Sequence, residues 1–227
     1  DPAYLAYPAC VSIAHGVPVL VPTYAKDEFR LTVEELEKKV TPKTKAILIG
    51  YPNNPTGTIM DRASLEKVAA FAKAHDLIVI ADEIYCDLTY EGQHTCFASL
   101  PDMQERTIVL NGFSKSYAMT GLRIGYVCAP REALEEIYKV HQYEILCAST
   151  TSQYGAIEAL RNCDDDVKAM FEEYAARREM IYQGLVDIGL TVFKPKGAFY
   201  IFPDISCTGM DEEEFCDKLL TEEKVGV

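Results

Sequence analysis

Residues 108–128, IVLNGFSKSYAMTGLRIGYVC, decide how the rest of the chain is read. One apolar run, IVLN, enters a turn of small residues and a second, IGYVC, leaves it; between them lie Lys115, the flexible Met119-Thr120-Gly121 segment and Arg123. The pattern reads strand, turn, strand. It sets a lysine at the end of a strand, in the crevice where open α/β sheets bind ligands. A lysine so placed is a candidate Schiff-base nucleophile, although a serine-flanked lysine taken alone is more often a solvated turn.

Upstream, two further apolar runs end in polar turns. KAILIGY (45–51) continues into PNNPTG, and LIVIA (77–81) into Asp82-Glu83-Ile84-Tyr85. Continuous apolar runs bounded by turn signals suit parallel strands buried on both faces. Between them, residues 61–75 place Leu65, Val68, Ala69 and Ala72 at helical spacing, which makes a βαβ unit with an expected right-handed crossover. Asp82 follows a buried run, where an unpaired carboxylate is costly. Taken alone it reads better as the cap of the segment after it.

The flanks are simpler. Tyr4 and Tyr7 lie three apart in an aromatic opening segment, a spacing that usually packs a helix on a core; a strand is expected over 17–21 after Gly16. Thr32 and Glu35 have the capping-box spacing for a short helix that ends by Pro42. Beyond the lysine turn, a helix is expected from Arg131, a long helix over 164–188 and an acidic one over 211–223. Two short strands, 190–194 and 198–202, are expected around Pro195-Lys196-Gly197. Alternation of helix and parallel strand stops near 163. The expected architecture is therefore α/β, a mixed, mostly parallel sheet with helices on both faces over 1–163, followed at 164–227 by an interdomain helix and part of a small α+β domain.

Composition narrows the partners. With 227 residues, 48% of them hydrophobic, the chain can bury a sizeable core. A net charge of −13, from 35 acidic against 22 basic residues, argues against nucleic acid or an anionic membrane as partner. Eight cysteines without a C-x-x-C pair suggest buried free thiols in a reducing compartment. No apolar run approaches the ~20 residues of a membrane span and no signal-peptide pattern opens the chain, so a cytoplasmic location is expected. His15, His75, His94 and His141 form no cluster, so no metal or histidine base is assigned.

Together YPNNPTG, ADEIY and NGFSKSYAMTGLRIGY resemble, in order and approximate spacing and over essentially the whole chain, the class I/II aminotransferases. These are fold type I enzymes of the aspartate aminotransferase superfamily. The resemblance implies the cofactor pyridoxal 5′-phosphate. Lys115 would then form the Schiff base and afterwards move the proton, Asp82 would pair with the pyridinium nitrogen, and Arg123 would bind the phosphate. Tyr85 and Asn54 match donors to the phenolic oxygen O3′, and Tyr4 matches the ring that stacks on the cofactor, whereas Tyr7, Asn53 and Glu83 keep structural readings.

One position departs from the family pattern: Gly112 stands where many relatives carry a phosphate-binding serine. Ser114 and Ser116 are nearby, and Ser114 is the candidate to replace it. The implied reaction exchanges an amino group between an amino acid and a 2-oxo acid. A carbon–sulfur β-lyase, an aminocyclopropane-carboxylate synthase or a non-catalytic module on the same scaffold stay open as alternatives. By resemblance the full-length protein is a homodimer, and this chain is a piece lacking both ends that does not complete a catalytic cycle by itself.

Overall fold

Three of the apolar runs form strands β1 (Ala46–Gly50), β2 (Ile78–Asp82) and β3 (Thr107–Gly112) in a computed structural model that describes residues 1–227. β1 pairs parallel with β2, Gly50 opposite Asp82, and β2 pairs parallel with β3, Asp82 opposite Leu110. A fourth strand, β4 (Gly125–Cys128), returns antiparallel to β3 with Gly125 opposite Gly112. The sheet order is β1-β2-β3-β4. The carboxyl ends of the three parallel strands therefore share one edge, and the turns after them carry PNNPTG, Asp82 to Tyr85 and Lys115.

The core lies on one side of this sheet. Helix α1 (Ala6–Ile13) buries nothing, and α2 (Val33–Glu37) buries only Leu36. By contrast α3 (Arg62–Ala74) packs Leu65, Val68, Ala69, Phe71 and Ala72 against Ile47, Ile49, Val79 and Ala81 of the strands. Each fully buried Leu, Ile, Val or Phe among them contributes roughly 1.5–3 kcal/mol, and each alanine less. Along β1 and β2 burial alternates rather than covering both faces, which corrects the reading of these runs as strands buried throughout. The other face is half-covered, and Ile78 is exposed.

Helix starts divide by their chemistry. The Asp61 side chain accepts a 2.7 Å bond from the Ser64 N–H at the head of α3. At α2 the expected capping box does not form: Thr32 makes no side-chain capping bond, and Glu35 pairs with Lys38 instead. Residues 17–21, expected as a strand, form none and join neither sheet.

The remaining helices are α4 (Arg131–Glu144), α5 (Thr150–Asn162) and α6 (Asp164–Asp187). The sequence reading has no element for α5. Its buried residues are the small Ser152, Ala156 and Ala159, and the two alanines pack behind the lysine turn against Phe113, Tyr117, Met119 and Ile124. The Ser152 hydroxyl donates to the Leu122 carbonyl at 2.6 Å. β5 (Thr191–Val192) pairs antiparallel with β6 (Pro203–Asp204), so the second expected strand lies after residues 198–202, not over them. α7 (Glu212–Lys218) and a π-helical turn, Leu219–Glu223, close the chain.

All eight cysteines are free, and four are exposed and four half-buried, which corrects the expectation of buried thiols. No helix is long and apolar enough to cross a membrane.

Candidate active site

At the carboxyl edge of β1, β2 and β3 opens a cleft of about 360 Å³. Tyr4, Asn54, Asp82, Tyr85, Ser114, Lys115 and Arg123 all line it. Seven residues from five segments of sequence thus meet in one place. A second hole of about 20 Å³, lined in part by Glu83, His94 and Phe97, is no larger than a water site.

Asp82 is held at both oxygens. Oδ2 accepts from the Tyr7 hydroxyl at 2.8 Å, and Oδ1 accepts from the Ile84 N–H at 3.1 Å. Capping and cleft-facing are therefore not alternatives here, because one oxygen does each. Tyr7 is the residue that sequence reasoning missed. Its phenol crosses the end of β1 where Gly50 has no side chain: a Cβ there would come within 2.5 Å of the hydroxyl. Burial, then the Asp82 charge, raises the Tyr7 phenol well above its ordinary value, so it stays a donor. The available signal was its spacing from Tyr4, whose ring it meets edge-on at 5.5 Å.

The Lys115 ammonium faces rings rather than a carboxylate, 5.7 Å from the centre of Tyr85 and 5.3 Å from that of Phe199. Arg123 adopts a left-handed backbone, φ 50°, and its Nη1 donates to the Thr120 carbonyl at 2.9 Å. A non-glycine residue holds such a backbone only where its surroundings impose it. Ala118, on the same turn, is another. Thr120 also lines the cleft and donates to the Ser114 carbonyl at 2.6 Å, which ties the turn to itself.

The glycine at 112 has a local cause. A Cβ there would meet the Gly125 Cα at 2.9 Å and the Ile124 carbonyl oxygen at 3.1 Å, so β3 and β4 leave no space for a serine. Of the two neighbours, Ser114 lines the cleft whereas Ser116 is buried with its Oγ unpartnered.

Asn54 and Tyr85 do not stand alone. The Asn54 Nδ2 donates to the Tyr200 hydroxyl at 3.2 Å, and the Tyr85 and Tyr200 hydroxyls lie 2.6 Å apart. Tyr200 comes from beyond α6, and nothing in its local sequence marks it for the cleft. Burial, then the bond with Tyr200, holds the Tyr85 phenol well above its usual value. Cys86, beside them, is pushed up by burial to about 11 and is no nucleophile near neutral pH.

Asn53 and Glu83 have the structural parts expected of them. Asn53 Oδ1 accepts from both the N–H and hydroxyl of Thr56 within the turn. Glu83 is buried, accepting from the Phe97 N–H at 2.8 Å and meeting His94 Nε2 at 2.9 Å.

Comparison with known proteins bears on the family. The aspartate aminotransferase of Pyrococcus abyssi is 48% identical over 229 residues, covering all of this chain and 59% of that protein. Aromatic-amino-acid aminotransferase 2 of Thermococcus litoralis is 46% identical over 230 residues, again covering all of this chain and 59% of its own length. The crystal structure of an aromatic aminotransferase from Pyrococcus horikoshii OT3 superposes with a TM-score of 0.98 at 46% identity, over 100% of this chain and 62% of that one. The chain thus spans about 59% of the length of the curated relatives it matches. The family description "Aminotransferase class I and II" matches residues 1–227 in full, and the chain belongs to that family.

Proposed function

We propose that the intact protein is a pyridoxal-phosphate-dependent aminotransferase that exchanges an amino group between an amino acid and a 2-oxo acid. One observation carries this reading: an amine, a carboxylate and a guanidinium, Lys115, Asp82 and Arg123, line a single cleft. These are the partners suited to an aldehyde, a ring nitrogen and a phosphate. The donor set fits the cofactor, and the cleft lies within the roughly 300–1,000 Å³ range of small-molecule sites.

When bound, the cofactor supplies the electron sink that stabilises negative charge at the substrate α-carbon. This chain's residues do the rest. Lys115 would hold the cofactor through its amine and would be the group that takes and returns the proton at the substrate α-carbon. Asp82 would hold the ring nitrogen and keep its proton in place. Because Tyr7 and the Ile84 N–H already orient it, little reorganisation accompanies the reaction. Arg123 would hold the phosphate with a planar, permanently charged group, Ser114 would be a second donor to it, and Tyr4 would offer its ring face to the cofactor. Tyr85 and Asn54 serve the phenolic oxygen. Exposed Tyr138, Val140, Tyr143, Ile145 and Leu146 form an apolar run that supports a second copy as partner in the intact protein.

Borohydride reduction of the intact protein with pyridoxal phosphate, followed by peptide mapping, should place the adduct on Lys115. An adduct elsewhere with Lys115 free sinks the assignment.

A further inference from the structure

We infer that Tyr200 is a positioning residue that turns the Tyr85 hydroxyl proton into the cleft; the inference rests on reading the cleft as a pyridoxal-phosphate site. Tyr200 rides on a strap, residues 195–200, that is fastened to the two turns holding Asn54 and Tyr85. The Lys196 and Gly197 N–H groups both donate to the Gly57 carbonyl at 2.9 Å, and the Ala198 N–H donates to the Leu88 carbonyl at 2.8 Å. The Tyr90 and Glu91 N–H groups donate to the Lys196 carbonyl at 2.8 and 3.3 Å. Arg178 closes the outer side by donating to the Pro195 carbonyl at 3.0 Å.

The fit is close on both sides. Gly57 has φ 69°, and a Cβ on it would collide with the Pro195 side chain and lie 3.1 Å from the Tyr200 carbonyl oxygen. A Cβ on Gly197 would lie 2.6 Å from the Pro52 side chain. Ala198 is fully buried at φ 56°, a conformation that persists only where the surroundings impose it. The last glycine of PNNPTG is therefore required by the strap, and the strap in turn sets where the Tyr200 hydroxyl sits.

Proton counting gives that hydroxyl its task. An amide nitrogen only donates, so the Tyr200 oxygen is the acceptor for Asn54 and the proton of Tyr200 is spare. Each phenol carries one proton. When Tyr85 donates to an oxygen in the cleft, its own oxygen is left as an acceptor, and the Tyr200 hydroxyl 2.6 Å away fills it. The chain Asn54 to Tyr200 to Tyr85 then polarises link by link, so Tyr85 donates more strongly than a lone phenol does. The Tyr200 ring also packs on Tyr85 and Phe199, at 5.6 and 4.9 Å between centres. Tyr200→Phe keeps that packing and removes only the hydroxyl.

The test measures binding to the cofactor-free intact protein, using pyridoxine 5′-phosphate and its 3-deoxy counterpart, which lacks the phenolic oxygen. Tyr200→Phe should weaken pyridoxine phosphate about tenfold, equivalent to ~1.4 kcal/mol, and leave the 3-deoxy compound unchanged. In a Tyr85→Phe background the same change should have little further effect, since the two residues act on one oxygen. An equal loss for both compounds, or none for either, overturns the role of Tyr200 while leaving the cofactor reading standing. If the wild-type protein binds neither compound, both readings fall together.

Discussion

Residues 31–116 and residues 131–227 reach their folds by different means. The first segment contains the whole sixteen-residue core cluster, from Leu31 to Met103. The second buries six residues, Ser152, Ala156, Ala159, Pro195, Gly197 and Ala198, and none of them lies in α4, α6 or α7. In the first, burial of apolar side chains decides where the strand ends lie and hence where Asp82 and Lys115 stand. In the second, order near the cleft comes from point contacts, such as Ser152 on the Leu122 carbonyl and the strap on Gly57 and Leu88. Asp82 and Lys115 thus stand on the segment that builds its own core, Arg123 on the turn just after it, and the adjusting residue, Tyr200, on the segment that does not.

The largest expected effect tests the first half of that division. Asp82→Asn keeps an oxygen for the Tyr7 hydroxyl or the Ile84 N–H but removes the charge, so the fold should persist while turnover of the intact protein falls about a thousandfold. Turnover and cofactor absorbance measured together decide it. Turnover near that of the wild type would show that the carboxylate is not part of the chemistry.

The next effect compares the two segments directly. Leu77→Ala, at a site 1% exposed in the core cluster, should lower stability by about 3 kcal/mol. Ile181→Ala in α6, at 47% exposure, should lower it by less than ~0.5 kcal/mol. Urea unfolding of the two variants side by side is the measurement. Equal losses would mean that the tail is covered in solution by something that buries α6.

The same division governs how much the sequence discloses. Where burial decides, periodicity reports it: the runs at 45–51 and 77–81 and the helix between them lie within a residue or two of β1, β2 and α3. The seven candidate residues, drawn from that pattern and from family resemblance, fall in one cleft. The partners of those residues are less legible. Tyr7 is readable only as one of a tyrosine pair, because what gives it a task is the missing Cβ of Gly50, 43 positions away. The strap reads as a strand because AFYIF has strand composition, yet its backbone bonds go to loops, and no local pattern encodes that. α5 buries only small residues, which carry little hydrophobic signal but allow its close packing behind Phe113, while its larger Tyr154, Ile157 and Leu160 stay exposed.

The smallest expected effect lies inside the core-built segment and separates two helix starts that look alike in sequence. Asp61 caps α3 through a 2.7 Å bond, whereas Thr32 makes no side-chain capping bond at the head of α2. Asp61→Ala should therefore cost about 1 kcal/mol at neutral pH, and Thr32→Ala only a few tenths. Acid adds a second discriminator. The Ser64 backbone N–H, as the main cause, holds the Asp61 carboxyl below its ordinary value. A carboxylate favoured by the fold contributes fully above the usual carboxylate range and loses that contribution as pH falls through its folded value. The stability gap between wild type and Asp61→Ala should thus narrow as urea midpoints are followed from neutral pH to about pH 3, while the smaller gap for Thr32→Ala should not move. A Thr32→Ala loss as large as that of Asp61→Ala would show that the capping box forms in solution after all.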